Sequence, residues 1–177
     1  QSDYSADLRI GPEILKGVAD SYRRLRNTMR FMLGALAHNT KADHVDPKDM
    51  PELEQWVLHR LAELDETVRT GYAVYDFQGV FQTLFQFATV DLSAFYFDIR
   101  KDVLYCDGDT ATRRAARCVL ELLFERLTTW LAPVLVFTME EVWLERRPGD
   151  DNSIHLTDIP DTPRDWLNPE LAGVQAR

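Results

Sequence analysis

The chain has 177 residues, 45% hydrophobic and 28% charged, a balance that fits a soluble globular protein with a core of its own and excludes a disordered segment. A formal net charge of −9 excludes an unselective nucleic-acid binder, whose affinity would come from neutralising phosphates everywhere. Any nucleic-acid contact must then use a local basic patch on an otherwise repelling surface.

Residues 1–10 are polar and read as extended. Gly11-Pro12-Glu13 is a helix start, with proline in the first turn and an acid beside it. Leu15, Val18, Tyr22, Leu25, Met29, Met32 and Leu36 follow at steps of three and four, one helical stripe that predicts a helix over roughly 12–37. Residues 38–50 are polar and form a loop. Pro51 opens a second helix, with Asp49 or Met50 nearby as the expected cap. Leu53, Trp56, Val57, Leu61, Leu64 and Val68 line one face of it to about residue 70.

The most apolar stretch is 75–105, where Phe77, Phe81, Leu84, Ala88, Leu92, Phe95, Tyr96 and Ile99 keep helical spacing. Two helices parted near Asp91 and one bent helix both fit. Asp107-Gly108-Asp109 is a turn, and Thr110 or Thr112 caps a helix over 110–131 that ends before Pro133. Thr138 and Glu141 read as a capping box, which predicts a short helix over 138–147. The tail, 148–177, carries four prolines and Trp166 and is expected to lie irregularly across the bundle. No repeat or long linker divides the chain. The expectation is an all-α fold, a single domain over 1–177 built as a bundle of four to five long helices with an irregular C-terminal tail.

Nothing in the sequence has the pattern of a catalytic site. His38, His44, His59 and His155 contain no metal-binding pair at helical spacing, and no glycine-rich phosphate loop is present. Glu140-Glu141 is explained by capping without acid–base work. Cys106 and Cys118 match neither a disulfide framework nor a zinc site, and reduced thiols in a cytoplasmic protein are expected. No signal-peptide pattern opens the sequence, and no run of 18 apolar residues is there to cross a bilayer. Gln1 is not an initiator methionine, so a chain that begins inside a longer protein or has been processed is expected.

One feature stands out. Residues 22–30 hold four arginines and no acid. On a helical wheel Arg23, Arg26 and Arg30 fall within about 60° of one another, with Lys16 close by. Arg24 points elsewhere. A guanidinium suits phosphate clamping, and Asn27 on the same side adds an amide that can donate to and accept from a base edge. Proteins read RNA sequence in single-stranded loops. The alternative is pairing of these arginines with Asp20 or with acids on neighbouring helices.

Four segments are familiar in combination: residues 7–16, the run from Tyr22 to Phe31, the run from Asp91 to Asp102, and Trp130 to Leu135 followed by Glu140-Glu141-Val142-Trp143. In order and spacing they resemble the helical anticodon-binding domain of bacterial-type isoleucyl-tRNA synthetases, class I aminoacyl-tRNA synthetases. The resemblance covers essentially the whole chain. The Asp91–Asp102 run points to the isoleucyl member, and the other motifs are shared loosely with valyl, leucyl and methionyl relatives.

The resemblance implies a parent enzyme that uses ATP and magnesium to activate isoleucine and esterify it to its tRNA. The nucleotide-binding motifs, the editing domain and the cysteine-rich zinc module of such enzymes are not in this sequence. This chain is therefore expected to bind the anticodon stem-loop of an isoleucine tRNA without catalysis, cofactor or metal, as a monomer and away from membranes. The residues carried over as RNA contacts are Arg23, Arg26, Asn27, Arg30 and Lys16. The Asp91–Asp102 run is expected to pack helices together, with Trp130 and Trp143 as core anchors. A second hypothesis is a helical protein-interaction bundle whose basic helix face binds acidic partners.

Overall fold

The computed structural model describes residues 11–37, 44–105 and 108–176. His38, Cys106, Asp107 and the residues before Gly11 lie outside them. The described residues form no strand; the fold is all-α.

Helix α1 runs Pro12–Leu36. Gly11 is its N-cap in an extended conformation and Pro12 takes the first helical position, where a missing N–H costs nothing. Only the second part of its apolar stripe reaches the core: Leu25, Met29, Met32 and Leu36 are buried, whereas Leu15, Val18 and Tyr22 are exposed.

Helix α2 runs Glu52–Ala73. Neither Asp49 nor Met50 caps it. Asp49 closes a 3-10 turn with Pro47, Met50 turns into the core, and Pro51 itself is the N-cap without a side-chain hydrogen bond. The chain then reverses at Tyr75, which holds a positive φ of 60°. Asp76 starts α3 by accepting from the Gly79 N–H at 3.0 Å.

From Phe77 to Tyr105 the backbone is one continuous helical rod in three parts: α3 (Phe77–Gln86), π-helical turns over Phe87–Tyr96, and α4 (Phe97–Tyr105). The Phe97 N–H donates to the Leu92 carbonyl, five residues back. The irregularity expected near Asp91 is thus a widening of the helix and not a break.

Helix α5 runs Ala111–Leu131, capped by the Thr110 hydroxyl, which accepts from the Arg113 N–H at 3.1 Å. Thirteen of its 21 residues are buried, so it is the central helix, packed by α1, α2, α3, α4 and α6. Trp130 lies fully buried in it, and Trp143 of α6 stacks on its Phe124.

Helix α6 runs Val136–Arg146, two residues ahead of the expected start. Thr138 is not a cap. The Leu135 carbonyl accepts the Met139 N–H at 3.0 Å and closes the first turn, leaving Thr138 inside the helix. Leu135, Met139, Val142 and Trp143 are all buried, and that apolar spacing sets the turn against the capping pattern. Glu141 is consequently free of any capping duty. Glu140 accepts from the Ser153 hydroxyl and the Ile154 N–H and ties down the start of the tail.

The tail crosses the bundle in short 3-10 turns, as expected for an irregular segment, and buries Ile154 and Leu171. Arg126 of α5 grips it, donating to the Thr162 hydroxyl at 2.9 Å and the Asp161 carbonyl at 2.8 Å beneath the Trp166 ring.

Two phenols, Tyr96 buried and Tyr72 half-buried, give the fold an alkaline limit. Burial pushes Tyr72, whose hydroxyl donates to the Trp130 carbonyl, up to about 12. Burial and the Glu54 carboxylate push Tyr96 well above the ordinary range. A phenol of the unfolded chain ionises near pH 10. Both tyrosines therefore contribute stability that is complete below that pH and is lost as pH rises toward and past 12. Urea unfolding midpoints should fall above about pH 10, and Tyr72→Phe should make that fall shallower while lowering the midpoint at neutral pH. An unchanged slope in the variant would remove Tyr72 from this account.

Candidate nucleic-acid interface

The exposed side of α1 is the candidate interface. Core residues Leu25, Met29 and Met32 fix the rotation of the helix, and at 100° per residue this turns Lys16, Arg23, Asn27 and Arg30 to the opposite side. All four are exposed, and Arg26 stands at their edge.

Their electrostatic surroundings differ. Arg23 pairs with Asp20 at 3.0 Å, one turn away, with both side chains in solvent. Arg26 has Glu141 of α6 at 4.0 Å, again in solvent. Among the described residues, Lys16 and Arg30 have no carboxylate within ion-pair distance. Exposed pairs of this kind contribute about 0–1 kcal/mol and are readily exchanged for a phosphate. Arg24 does point elsewhere: its guanidinium lies over the Phe85 ring at 5.4 Å.

On the other edge of the strip, α1 meets α4 in a shallow hollow of about 250 Å³ lined by Asn27, Phe31, Ser93, Phe97, Asp98 and Lys101. Phe31 and Phe97 stack with centroids 4.3 Å apart, and Tyr105 closes edge-on against Phe31 at 5.5 Å. The Tyr105 hydroxyl donates to the Phe31 carbonyl at 3.2 Å. The hollow thus combines an aromatic wall, an amide, a hydroxyl and an ammonium group, Lys101, whose exposed partner is Asp98 at 3.1 Å. Aromatic faces beside cations are the means by which proteins hold unstacked bases.

Neither Lys101 nor Tyr105 is among the RNA contacts expected from the sequence. Their signal was a lysine and a tyrosine four residues apart on one helix, which reads as ordinary surface until α1 is placed beside them.

The Asp91–Asp102 run is the seam that holds this arrangement. Ser93 shares a 2.7 Å hydrogen bond with Thr28 of α1, Asp91 accepts from Arg60 of α2, and Tyr96 and Arg100 both donate to Glu54 of α2. It packs helices together, as the resemblance implied. The described residues contain no group of three His, Cys, Asp or Glu placed to share a metal ion, and no helix long and apolar enough to cross a membrane.

Among the described residues, α1 thus presents an exposed basic face on a chain whose formal net charge is −9. The family model described as the anticodon-binding domain of tRNA ligase matches residues 54–176, and the chain belongs to that family. The match begins after α1. Relatives matched over nearly the whole chain, α1 included, are the isoleucine–tRNA ligase of Ruegeria pomeroyi, 74% identical over 171 residues, and that of Agrobacterium fabrum, 52% identical over 171 residues. A third, from Mesorhizobium japonicum, is 52% identical over 172 residues. These matches cover 96–97% of this chain but only 17–18% of each ligase.

Proposed function

We propose that this chain grips the anticodon stem-loop of an isoleucine tRNA and performs no chemistry itself. The observation that carries this reading is the open strip of Lys16, Arg23 and Arg30 with Asn27 and the aromatic hollow at its edge. Phosphates on the strip set the register of the RNA, and the hollow takes a base from the loop. Gripping the anticodon arm positions the acceptor end of the tRNA in the remainder of a longer ligase, which supplies ATP- and magnesium-dependent isoleucylation in the cytoplasm.

The test is titration of the chain with the isoleucine-tRNA anticodon stem-loop and a scrambled loop at two salt concentrations. The cognate loop should bind tighter, with an affinity that falls as salt rises. In Arg26→Ala/Arg30→Ala the salt slope should drop by about 1.4, at roughly 0.7 per lost phosphate contact. Equal binding to both loops and to an acidic peptide would instead assign the face to acidic partners.

Glu141 provides a prediction of opposite sign. It competes with RNA phosphate for Arg26. Glu141→Gln should therefore tighten stem-loop binding by about two- to fivefold at low salt, the worth of an exposed charge pair, with the gain fading at high salt. Weaker binding by this variant would show that Arg26 needs Glu141 to hold its position.

A further inference from the structure

The hollow between α1 and α4 holds a group that a phosphate grip does not need. Asp98 lines it, exposed, at the edge of the strip of arginines. A carboxylate there repels the backbone of an RNA strand, so a phosphate is turned away from the hollow while the strip beside it attracts one. The same carboxylate accepts hydrogen bonds and cannot donate them. It therefore suits a ligand that brings N–H donors.

A second acceptor stands in the hollow, and a buried neighbour sets its polarity. Ser93 lines the hollow, and its hydroxyl lies 2.7 Å from that of Thr28, which is buried on the inner side of α1. Each hydroxyl has one proton to give. Thr28 has two main-chain carbonyls within reach, Arg24 at 3.2 Å and Ala88 at 3.4 Å. Both protons find an acceptor inside the protein when Ser93 donates to Thr28 and Thr28 donates to a carbonyl. In that order Ser93 turns only its lone pairs toward the hollow.

The winding of the helix is a further sign. Ser93 lies in the π-helical turns, where the Phe97 N–H donates five residues back to Leu92, and widened turns of this kind recur at functional sites. Ser93, Phe97, Asp98 and Lys101 reach the one hollow from this stretch of the chain.

We propose that the hollow selects, from the RNA loop, a base that carries an exocyclic amino group. Asp98 and Ser93 are the specificity-determining contacts, and Thr28 is a positioning residue that keeps Ser93 an acceptor. An amino group has two protons, one for each acceptor. Adenine, cytosine and guanine carry such a group with an accepting ring nitrogen beside it, whereas uracil carries carbonyl oxygens. The ring nitrogen meets Lys101, whose ammonium stands 3.1 Å from the Asp98 carboxylate, donor beside acceptor as the base edge requires. Phe31 and Phe97 give the base an apolar wall. Uracil sets oxygen against both acceptors and is rejected. This selection rests on the reading that α1 grips an RNA loop, and it adds which bases that loop must offer.

The test is titration of the chain with the isoleucine-tRNA anticodon stem-loop and with copies in which one amino-bearing loop base at a time loses that group: inosine for guanosine, purine riboside for adenosine, uridine for cytidine. At least one copy should bind more weakly by about fivefold or more, the lower end of what one well-placed base contact is worth, with the salt slope unchanged. That penalty should disappear in Ser93→Ala/Asp98→Ala. It should shrink in Thr28→Val, where the freed Ser93 proton can meet a carbonyl, and return in Thr28→Ser, which restores the hydroxyl. Equal binding of every copy by the parent chain would overturn the proposal. A penalty that survived in Ser93→Ala/Asp98→Ala would overturn it as well, and one unchanged in Thr28→Val would remove Thr28 from it. Loss of binding to every loop, the unmodified one included, would overturn the RNA reading itself, a result distinct from full binding without any penalty.

Discussion

Replacing Glu54 with alanine is expected to destabilise the fold by about 3–5 kcal/mol, the cost of leaving a buried charge without its partner. Glu54 sits in the first turn of α2 with no exposed surface. Its carboxylate accepts from the Arg100 guanidinium twice, at 2.9 and 2.8 Å, and from the Tyr96 hydroxyl at 2.6 Å. Arg100 keeps only 15% of its side-chain surface in solvent. Removing the acid therefore strands a guanidinium and a phenol together, and water reaches neither well. Glu54→Gln keeps the volume but cannot accept two parallel N–H donors, so its cost should fall between that of alanine and zero. The paired replacement Glu54→Leu/Arg100→Met should recover most of the loss, because an apolar pair of similar volume needs no desolvation. Urea unfolding measures all three. A loss below about 1 kcal/mol for Glu54→Ala would place this network in the class of exposed, inconsequential pairs.

The network matters for the interface because Arg100 and Lys101 are neighbours on α4. The bond to Glu54 fixes the rotation of α4 against α2, and with it the position of Phe97 and Lys101 against α1. A loosened Glu54 variant should thus lose base selectivity before it loses phosphate binding. Helix–helix register is set on the dry side of α4 and used on its wet side.

Much of this arrangement was legible in the sequence, and the parts that were not have physical reasons. The start of α1 and the cap at Thr110 were readable because they depend on residues adjacent in the chain, Gly11-Pro12 and Thr110 with the Arg113 N–H. Thr138 had an equally good local pattern and lost to Leu135 and Met139, whose burial is a tertiary effect. The π-helical turns left no mark, since the apolar spacing through Phe87–Tyr96 suits a helix of either width. Periodicity showed that the start of α1 has an apolar face but not where its partner lies, so Leu15 and Val18 looked like core and are exposed. The basic strip was readable because one helix carries it. The hollow was not, because Asn27 and Lys101 are brought together only when α1 and α4 pack.

Asn27→Ala should separate recognition from grip. The amide stands at the mouth of the hollow, beside an aromatic wall and on the edge of the basic strip. A bidentate or well-placed hydrogen bond to a base edge discriminates by about 1–3 kcal/mol, or roughly 5- to 150-fold between the right and the wrong base. Asn27→Ala should remove that margin between the isoleucine loop and a scrambled loop while leaving the salt slope unchanged, since no charge has been altered. Arg23→Ala/Arg30→Ala should do the reverse, weakening both loops alike and lowering the salt slope by about 1.4. Lys101→Ala lies between, because its ammonium group can meet either a phosphate or a base and gives up Asp98 to do so. Measured together at two salt concentrations, the three variants assign each side chain to phosphate or base. If Asn27→Ala preserved selectivity while Lys101→Ala abolished it, the reading of bases would belong to α4, with α1 serving only to hold the backbone of the loop.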